Sequence, residues 1–240
     1  MSGCIYNSVF CFVPLGQLPG TSFVVNSYGL SLSMNSLYPS VPGFTYKDGV
    51  AYVFAYVLRD VIRSTSTQQV VSKLSGHAIY SGYSLNVMSA CETSITNIEG
   101  YGDRLGVQTR TNTAAQQDST VGHFNAYINS NVEQEPQPTS VKRKTCQDHS
   151  TFHSPEDVRT FLRDLNCPVF FTDLNGQHGS ETLSTWIADP VAGECRRYRL
   201  PQVCEKYQSR CSQAQTTVDI MEPEPEPVVY EWLFSCDSSV

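Results

Sequence analysis

The chain has 240 residues, is 40% hydrophobic and carries a formal net charge of −7, with a pI near 5.2. A chain of this size can bury a real core as one domain, and its acidity argues against a nucleic-acid or anionic-membrane partner. No apolar run is long enough to span a bilayer, and the N-terminus lacks the charged start and clean apolar core of a secretory signal. We therefore expect a cytoplasmic protein with no membrane or nucleic-acid partner.

The first predicted elements are two strands within "GTSFVVNSYGLSLSMNSLYP", residues 20–39. "SFVVNS" and "SLSMNSL" alternate with the period of a strand, and Gly29 allows a tight turn between them. The second strand would have an apolar face and a polar face, with Leu30, Leu32 and Met34 opposed to Ser31, Ser33 and Asn35. The hairpin also places the amides of Asn26 and Asn35 among apolar and small residues, so we ask what these amides hold.

Two helices are predicted next. From Val50 onward, apolar residues recur every three or four positions as far as Ile62, which is typical of an amphipathic helix. "TQQVVSKL" predicts a second helix, capped by Ser66 or Thr67 and ended by Gly76.

The rest of the chain predicts further strands and one more helix. "AIYSGYSLNVMS", "TSITNIEG", "RLGVQTR" and "HFNAYINS" are strand candidates, whereas residues 111–120 and 132–140 are polar and loop-like. "HSPEDVRTFLRDL" predicts a helix capped by Ser154, and "TLSTWIADPVAGECRRYRL" predicts a closing strand hairpin. Segregated strands and helices indicate an α+β fold with antiparallel sheets over residues 1–200. Residues 201–240, with "MEPEPEPVVYEW", predict an acidic Pro/Glu tail that is largely disordered.

The cysteines and histidines give no sign of a metal. The nine cysteines are odd in number, irregularly spaced and contain no CxxC pair, and the five histidines lack metal-ligand spacing. We expect neither a metal nor a cofactor, and we interpret the cysteines as free thiols in a reducing compartment.

Polar residues at strand edges are the candidate functional groups: Asn86, Asn97, His123, Asn125, Ser140 and Arg143. A buried Asn can direct its NH₂ group at a developing oxyanion, and an Arg can hold a carboxylate or favour a thiolate. The alternative is that each amide satisfies a strand end or loop, and that each His is a surface or hydrogen-bonded residue.

The order of these segments resembles the acyl-coenzyme A:6-aminopenicillanic acid acyltransferase family over roughly residues 12–200. "GTSFVVNSYGLSLSMNSLYP" resembles its G-x-x-x-G-x-N-x-x-G-L-x-x-x-x-N segment, and "VLRDVIRSTSTQQVVSKL" is similar to the helix pair that follows. "GYSLNVMSACETSITNIEG", "HFNAY" and the closing hairpin match later strands of the family. "PLGQLPG" is most similar to animal β-alanyl-dopamine hydrolase-like members.

The resemblance implies an N-terminal-nucleophile fold, a four-layer αββα sandwich. It also implies a precursor that cuts itself before a cysteine, whose thiol then attacks the amide bond of a small N-acyl amine such as an N-β-alanyl amine. Asn86, Asn125, Ser140 and Arg143 are the implied catalytic residues, with Ser140 and Arg143 as a pair near the nucleophile. Asn86 is implied at the oxyanion, with Ser84 as the alternative if the alignment within "YSLNV" shifts. Asn26 and Asn35 would brace the hairpin.

One departure from the family pattern changes the expectation. Only nineteen residues precede Gly20, and the Gly3–Cys4 step leaves little chain for the strands that carry the nucleophile in the family. We therefore expect an αββα domain that is incomplete at its N-terminus, inactive alone, and able to pair with the missing N-terminal chain of the same precursor. "SLSMNSL" would then lie at an open sheet edge. The alternative is a non-catalytic remnant that binds a ligand or partner, with the acidic tail as an interaction segment.

Overall fold

The structure is a computed structural model that describes residues 9–12, 23–40, 52–92, 94–111, 121–164, 167, 169, 184–189, 194–199 and 230–231. These residues fall into two compact units, one ending at Val141 and the other running from Lys142 to Glu231. No helix in the described ranges has the length and apolar character that crossing a bilayer requires.

The first unit contains a six-stranded antiparallel sheet whose strands lie side by side in chain order. Its strands are β1 (Val9–Phe12), β2 (Phe23–Asn26), β3 (Leu30–Leu37), β4 (Ile79–Ser89), β5 (Ser94–Gly102) and β6 (Arg104–Thr111). Helices α1 (Phe54–Val61) and α2 (Thr67–Ser75) separate β3 from β4 in the chain. Helices and an antiparallel sheet confirm the predicted α+β class.

The apolar core lies between one face of this sheet and the two helices. Leu32 pairs with Val87 and Leu85 pairs with Ile98, so these four side chains project to the same face. They are buried with Leu58 of α1 and with the other apolar residues of both helices. The predicted helical periodicity is confirmed, and Ser66 caps α2 by accepting a hydrogen bond from the Gln69 backbone N–H.

Strand β3 lies inside the sheet. It pairs with β2 on one side and with β4 along its full length on the other, and Leu30 and Leu32 are buried. The prediction of an open edge at "SLSMNSL" is therefore wrong. The reason is that β2 and β4 flank β3, and Val9–Phe12 in turn pairs with the other side of β2.

Helix α3 (Pro138–Asp148) starts in the first unit and ends in the second, which also holds α4 (Pro155–Arg163). Ser154 caps α4 in a reciprocal capping box with Asp157, as the sequence predicts. Strands β7 (Ser184–Asp189), β8 (Glu194–Arg199) and β9 (Tyr230–Glu231) form a separate antiparallel sheet. The β7–β8 pair confirms the predicted closing hairpin, and its turn lies outside the described residues.

Two predictions of local structure are wrong. "HFNAYINS" is an irregular loop and not a strand, because its backbone N–H groups at 128–130 bond to a side chain of the sheet. The end of the loop predicted over 132–140 is the first turn of α3, where Pro138 is compatible with helix geometry. Most of the predicted tail lies outside the described residues, so its disorder stays a prediction.

The interpretation of the cysteines as free thiols is wrong for three of them. Cys146 on α3 is bonded to Cys167, with a Cα–Cα distance of 6.0 Å, and Cys91 is also disulfide-bonded. The spacing of the cysteines along the chain did not reveal the bond. Cys146 lies on α3 and Cys167 lies after α4, so only the fold of this region brings them together. The cytoplasmic location therefore loses the support that free thiols gave it and stays a prediction.

Candidate active site

The face of the six-stranded sheet opposite the helices is lined by polar side chains, and we call it the polar face. The register places Ser33, Asn86, Asn97 and Gln108 in one row across β3 to β6. The next row holds Asn35, Ser84, Glu99 and Gly106. Ser84, Asn97 and Glu99 are each fully buried, so hydrogen bonds must replace the water that these groups lose.

A ladder of side-chain amides crosses the polar face. Asn129 donates to Oδ1 of Asn97, whose Nδ2 donates to Oγ of Ser84 at 2.8 Å and to Oδ1 of Asn86 at 2.9 Å. Nδ2 of Asn86 is 3.4 Å from Oγ of Ser33, a long contact. Asn97 thus uses both of its N–H donors, while Asn86 keeps donor capacity at the end of the ladder.

The carboxylate of Glu99 is held by five hydrogen bonds. Oε1 accepts from Nε2 of His123 at 2.8 Å and from the Ile128 backbone N–H at 2.7 Å. Oε2 accepts from the backbone N–H groups of Asn129 and Ser130, both at 2.9 Å, and from Oγ of Ser130 at 3.0 Å. Burial alone raises the pKa of Glu99, but these bonds outweigh it and leave the pKa below its ordinary value. Glu99 is therefore ionised at neutral pH.

The imidazole of His123 is fully buried, and among the described residues it has one hydrogen bond, to Glu99. Since Glu99 is a carboxylate, Nε2 is the donor of this bond, and Nδ1 has no hydrogen-bond partner among the described residues. His123 therefore fits the hydrogen-bonded alternative left open by the sequence. The described residues contain no group of three or more His, Cys, Asp or Glu side chains that could hold a metal ion.

Gly106 allows the loop to approach the sheet. It lies opposite Glu99 in the β5–β6 register, and a Cβ atom there would lie 2.6 Å from the Asn129 carbonyl oxygen. Without that methyl group, the backbone at 128–130 comes close enough to donate to Glu99.

Each of the four predicted catalytic residues has its own local surroundings. Asn86 lies on the polar face within the amide ladder. Asn125 is half-buried in the 121–136 loop, and its Nδ2 donates to the Ser36 carbonyl at 2.9 Å. Ser36 is three residues from Ser33 along β3, which places this bond about 10 Å from the Asn86 row.

The other two predicted residues lie on α3. Ser140 is buried and Arg143 is half-buried, three positions apart and hence on the same side of the helix. Burial lowers the pKa of Arg143. Their catalytic roles stay predictions, as do those of Asn86 and Asn125.

Sequence reasoning missed Glu99, Asn129 and Gly106. Glu99 lies in a strand that is buried on both faces, and an ionisable group in such a strand requires partners. That rule could have singled out "SITNIEG", but the partners come from a loop about thirty residues away, at separations of 29 to 31 positions.

The buried amide of Asn26 holds the β2–β3 hairpin against the end of α1. Its Nδ2 donates to the carbonyl oxygens of Ile62 and Ser64 just after α1, and its Oδ1 accepts from the backbone N–H groups of Tyr28 and Leu30. The amide fastens the β2–β3 turn to the end of α1, so Asn26 braces the hairpin on the helix side of the sheet.

Comparison with known proteins identifies the family. The model of the acyl-coenzyme A:6-aminopenicillanic acid acyl-transferase family matches residues 8–200. The chain belongs to this family, and the resemblance seen in its segments is confirmed. No individual curated protein matches the chain. Membership indicates acyl transfer or amide hydrolysis as the general class of activity.

Proposed function

We propose that this protein cleaves or forms the amide bond of small N-acyl amines through a cysteine thioester, within an N-terminal-nucleophile αββα fold. N-β-alanyl amines, as in β-alanyl-dopamine hydrolysis, are the proposed substrate class. The polar face carries the proposal, since it offers buried amide donors on a rigid sheet within a chain of this family. The sheet and its helix cover supply one αβ half of the proposed fold.

The chemistry assigns a role to each polar group. A thiolate attacks the carbonyl carbon, a C–S bond forms, and the carbonyl oxygen becomes an oxyanion that needs N–H donors. Asn86 has such a donor at the end of the ladder. Asn125 donates to the Ser36 carbonyl, about 10 Å from the Asn86 row, so any role it has would be at another part of the substrate. The amine leaves with a proton, and water or another amine then takes the acyl group from sulfur. Arg143, with Ser140, would favour the thiolate or hold a substrate carboxylate.

The nucleophile has to be a cysteine other than Cys91, Cys146 or Cys167, because a disulfide sulfur carries no thiol. Members of the family cleave themselves before a cysteine, and the bond between Gly3 and Cys4 has the residues for this cleavage. The α-amine of Cys4, once freed, would act as the base. We propose Cys4 as the first position to test.

The test uses the purified full chain with N-β-alanyl dopamine and with a β-alanyl ester of matched size. Mass spectrometry measures release of the amine, the acyl adduct on the protein, and cleavage before Cys4. The sequence alone led us to expect an inactive chain, but Val9–Phe12 adds a strand to the sheet that the sequence did not predict. We therefore propose that the full chain is active, and we expect amine release and an acyl adduct that Cys4→Ala abolishes. A chain that neither cleaves itself, nor forms the adduct, nor releases amine would refute the proposal.

The alternative is a non-catalytic protein that binds a small ligand or a protein partner, including an N-terminal chain of its own precursor. The observation that favours it is that each cysteine whose side chain the structure describes is disulfide-bonded. Labelling with iodoacetamide near pH 6 separates the two functions, because an activated thiolate reacts there and an ordinary thiol does not. Rapid labelling at one cysteine would exclude the binding protein.

A further inference from the structure

The Glu99 carboxylate has no hydrogen-bonding capacity left for a substrate. Two oxygens offer about four favourable lone-pair positions, and five donors already occupy them. Glu99 is therefore not suited to act as a general base or to bind a substrate amine. Four of the five donors belong to residues 128–130, so the carboxylate anchors that segment to the sheet.

The anchored segment starts the amide ladder. Asn129 offers its backbone N–H to Glu99 and its side-chain NH₂ to Asn97. Asn97 in turn donates to Asn86. Three consecutive contacts thus connect the buried charge to the amide of Asn86, and the amide oxygens of Asn97 and Asn86 each accept from the residue before them in the ladder.

Gly106 provides independent support for the same placement. A side chain at this position would displace the Asn129 carbonyl, so the segment is fitted sterically as well as by hydrogen bonds. Two separate features of the sheet, one charged and one steric, therefore fix where Asn129 lies.

We propose that Glu99 is a positioning residue, which fixes residues 128–130 and, through Asn129 and Asn97, the orientation of the Asn86 amide. The inference rests on the proposed function, in which Asn86 donates to the oxyanion. It assigns Glu99 an effect on the transition state without contact to substrate.

The test compares Glu99→Gln with Glu92→Gln. Glu92 also accepts a backbone N–H, from Thr67, but it is exposed in the β4–β5 turn. In ¹H–¹⁵N spectra, the side-chain NH₂ peaks of Asn86 and Asn97, assigned with Asn→Asp variants, should move in Glu99→Gln and stay in Glu92→Gln. On an N-β-alanyl amine, Glu99→Gln should lower kcat about 10- to 100-fold with little change in KM, since misplaced donors weaken the transition state.

A second variant covers the case in which Glu99→Gln does not fold. Asn129→Ala removes one rung of the ladder and leaves the carboxylate intact, and it should shift the same Asn86 peak. Unchanged Asn86 and Asn97 peaks in a folded variant of either kind would overturn the inference. If the wild-type protein cleaves no amide, the proposed function fails, and the spectra alone then decide whether Glu99 orients Asn86.

Discussion

Adjacent residues of β5 show how differently the two faces of the sheet are built. Ile98 and Glu99 are both completely buried, yet Ile98 packs in the core under α1 and α2, whereas Glu99 is held by five hydrogen bonds on the polar face. An apolar residue is stabilised by burial itself, but a buried carboxylate needs every bond it can form. The comparison indicates that the helix side holds the fold together, while the polar face keeps groups that burial alone would disfavour.

The largest loss of stability should come from the helix side. Ile98→Ala leaves a cavity in the core and should lower the free energy of unfolding by about 2 to 5 kcal/mol. Val107→Ala, at the cross-strand partner that is 44% exposed, is the matched control and should cost much less. Urea unfolding of both variants checks the difference, and equal losses would show that this side is not tightly packed.

Removing the charge on the polar face should cost less. Glu99→Gln leaves buried donors poorly matched and should lower the free energy of unfolding by about 1 to 3 kcal/mol at neutral pH. Because folding lowers the pKa of Glu99, its contribution is complete above the unfolded pKa, about 4.3. It is lost as the pH falls through the lower folded pKa.

Unfolding of wild type and Glu99→Gln at a series of pH values measures that contribution. The gap between the two should be constant from pH 7 to about pH 5 and should shrink below about pH 4. Glu92→Gln should show no comparable gap, since Glu92 is exposed. A gap that widens as the pH falls would contradict the assigned ionisation.

Substitution of two glycines, Gly106 and Gly76, tests how closely the loop packs on the polar face. Gly106→Ala should cost about 1 to 2 kcal/mol, because its Cβ would press on the Asn129 carbonyl. Gly76→Ala is the control, since its backbone φ is −77° and an added Cβ would lie 3.5 Å from the Lys73 carbonyl oxygen, an ordinary van der Waals contact. In thermal melts, Gly106→Ala should have a lower Tm than Gly76→Ala. A Gly106→Ala variant with the wild-type Tm would mean that the 128–130 backbone does not lie close to the sheet.

The smallest effect should come from the polar pair on the helix side. Thr96 and Thr109 share a hydrogen bond of 2.9 Å between their hydroxyl groups. Thr96→Val keeps the shape and should cost about 0.5 to 1.5 kcal/mol. Its effect on kcat should be negligible. A large fall in kcat without loss of stability would contradict the claim that the chemistry belongs to the polar face alone.

Local patterns predicted the helix side of the molecule well. The periodicity of α1 and α2, the Ser66 and Ser154 caps and strands β3 to β6 depend on neighbouring residues, which a sequence displays directly. The sequence predicted only part of the polar face. It singled out Asn86, Asn97 and His123 as polar residues in or near strands. What joins them is Glu99 with a loop about thirty residues later, and such contacts leave no periodic signal.

The sheet edge shows a second limit. The residues before Gly20 gave no strand signal, yet Val9–Phe12 pairs with β2, so that β2 as well as β3 lies inside the sheet. Four residues are too few for alternation to be recognised, and their conformation follows from the partner strand. Helix α3 (Pro138–Asp148) was missed entirely, and Ser140 and Arg143 were placed at strand edges, because the segment is polar and is preceded by a Pro-rich stretch.

The most direct test of the central claim, that the polar face carries the chemistry, is the kcat of Asn86→Leu on an N-β-alanyl amine, with Thr96→Val as the control from the helix side. Loss of an oxyanion donor should lower kcat about 100- to 1,000-fold, while a thermal melt shows that the variant is folded. Thr96→Val should keep the wild-type kcat. A folded Asn86→Leu variant with wild-type kcat would contradict the account.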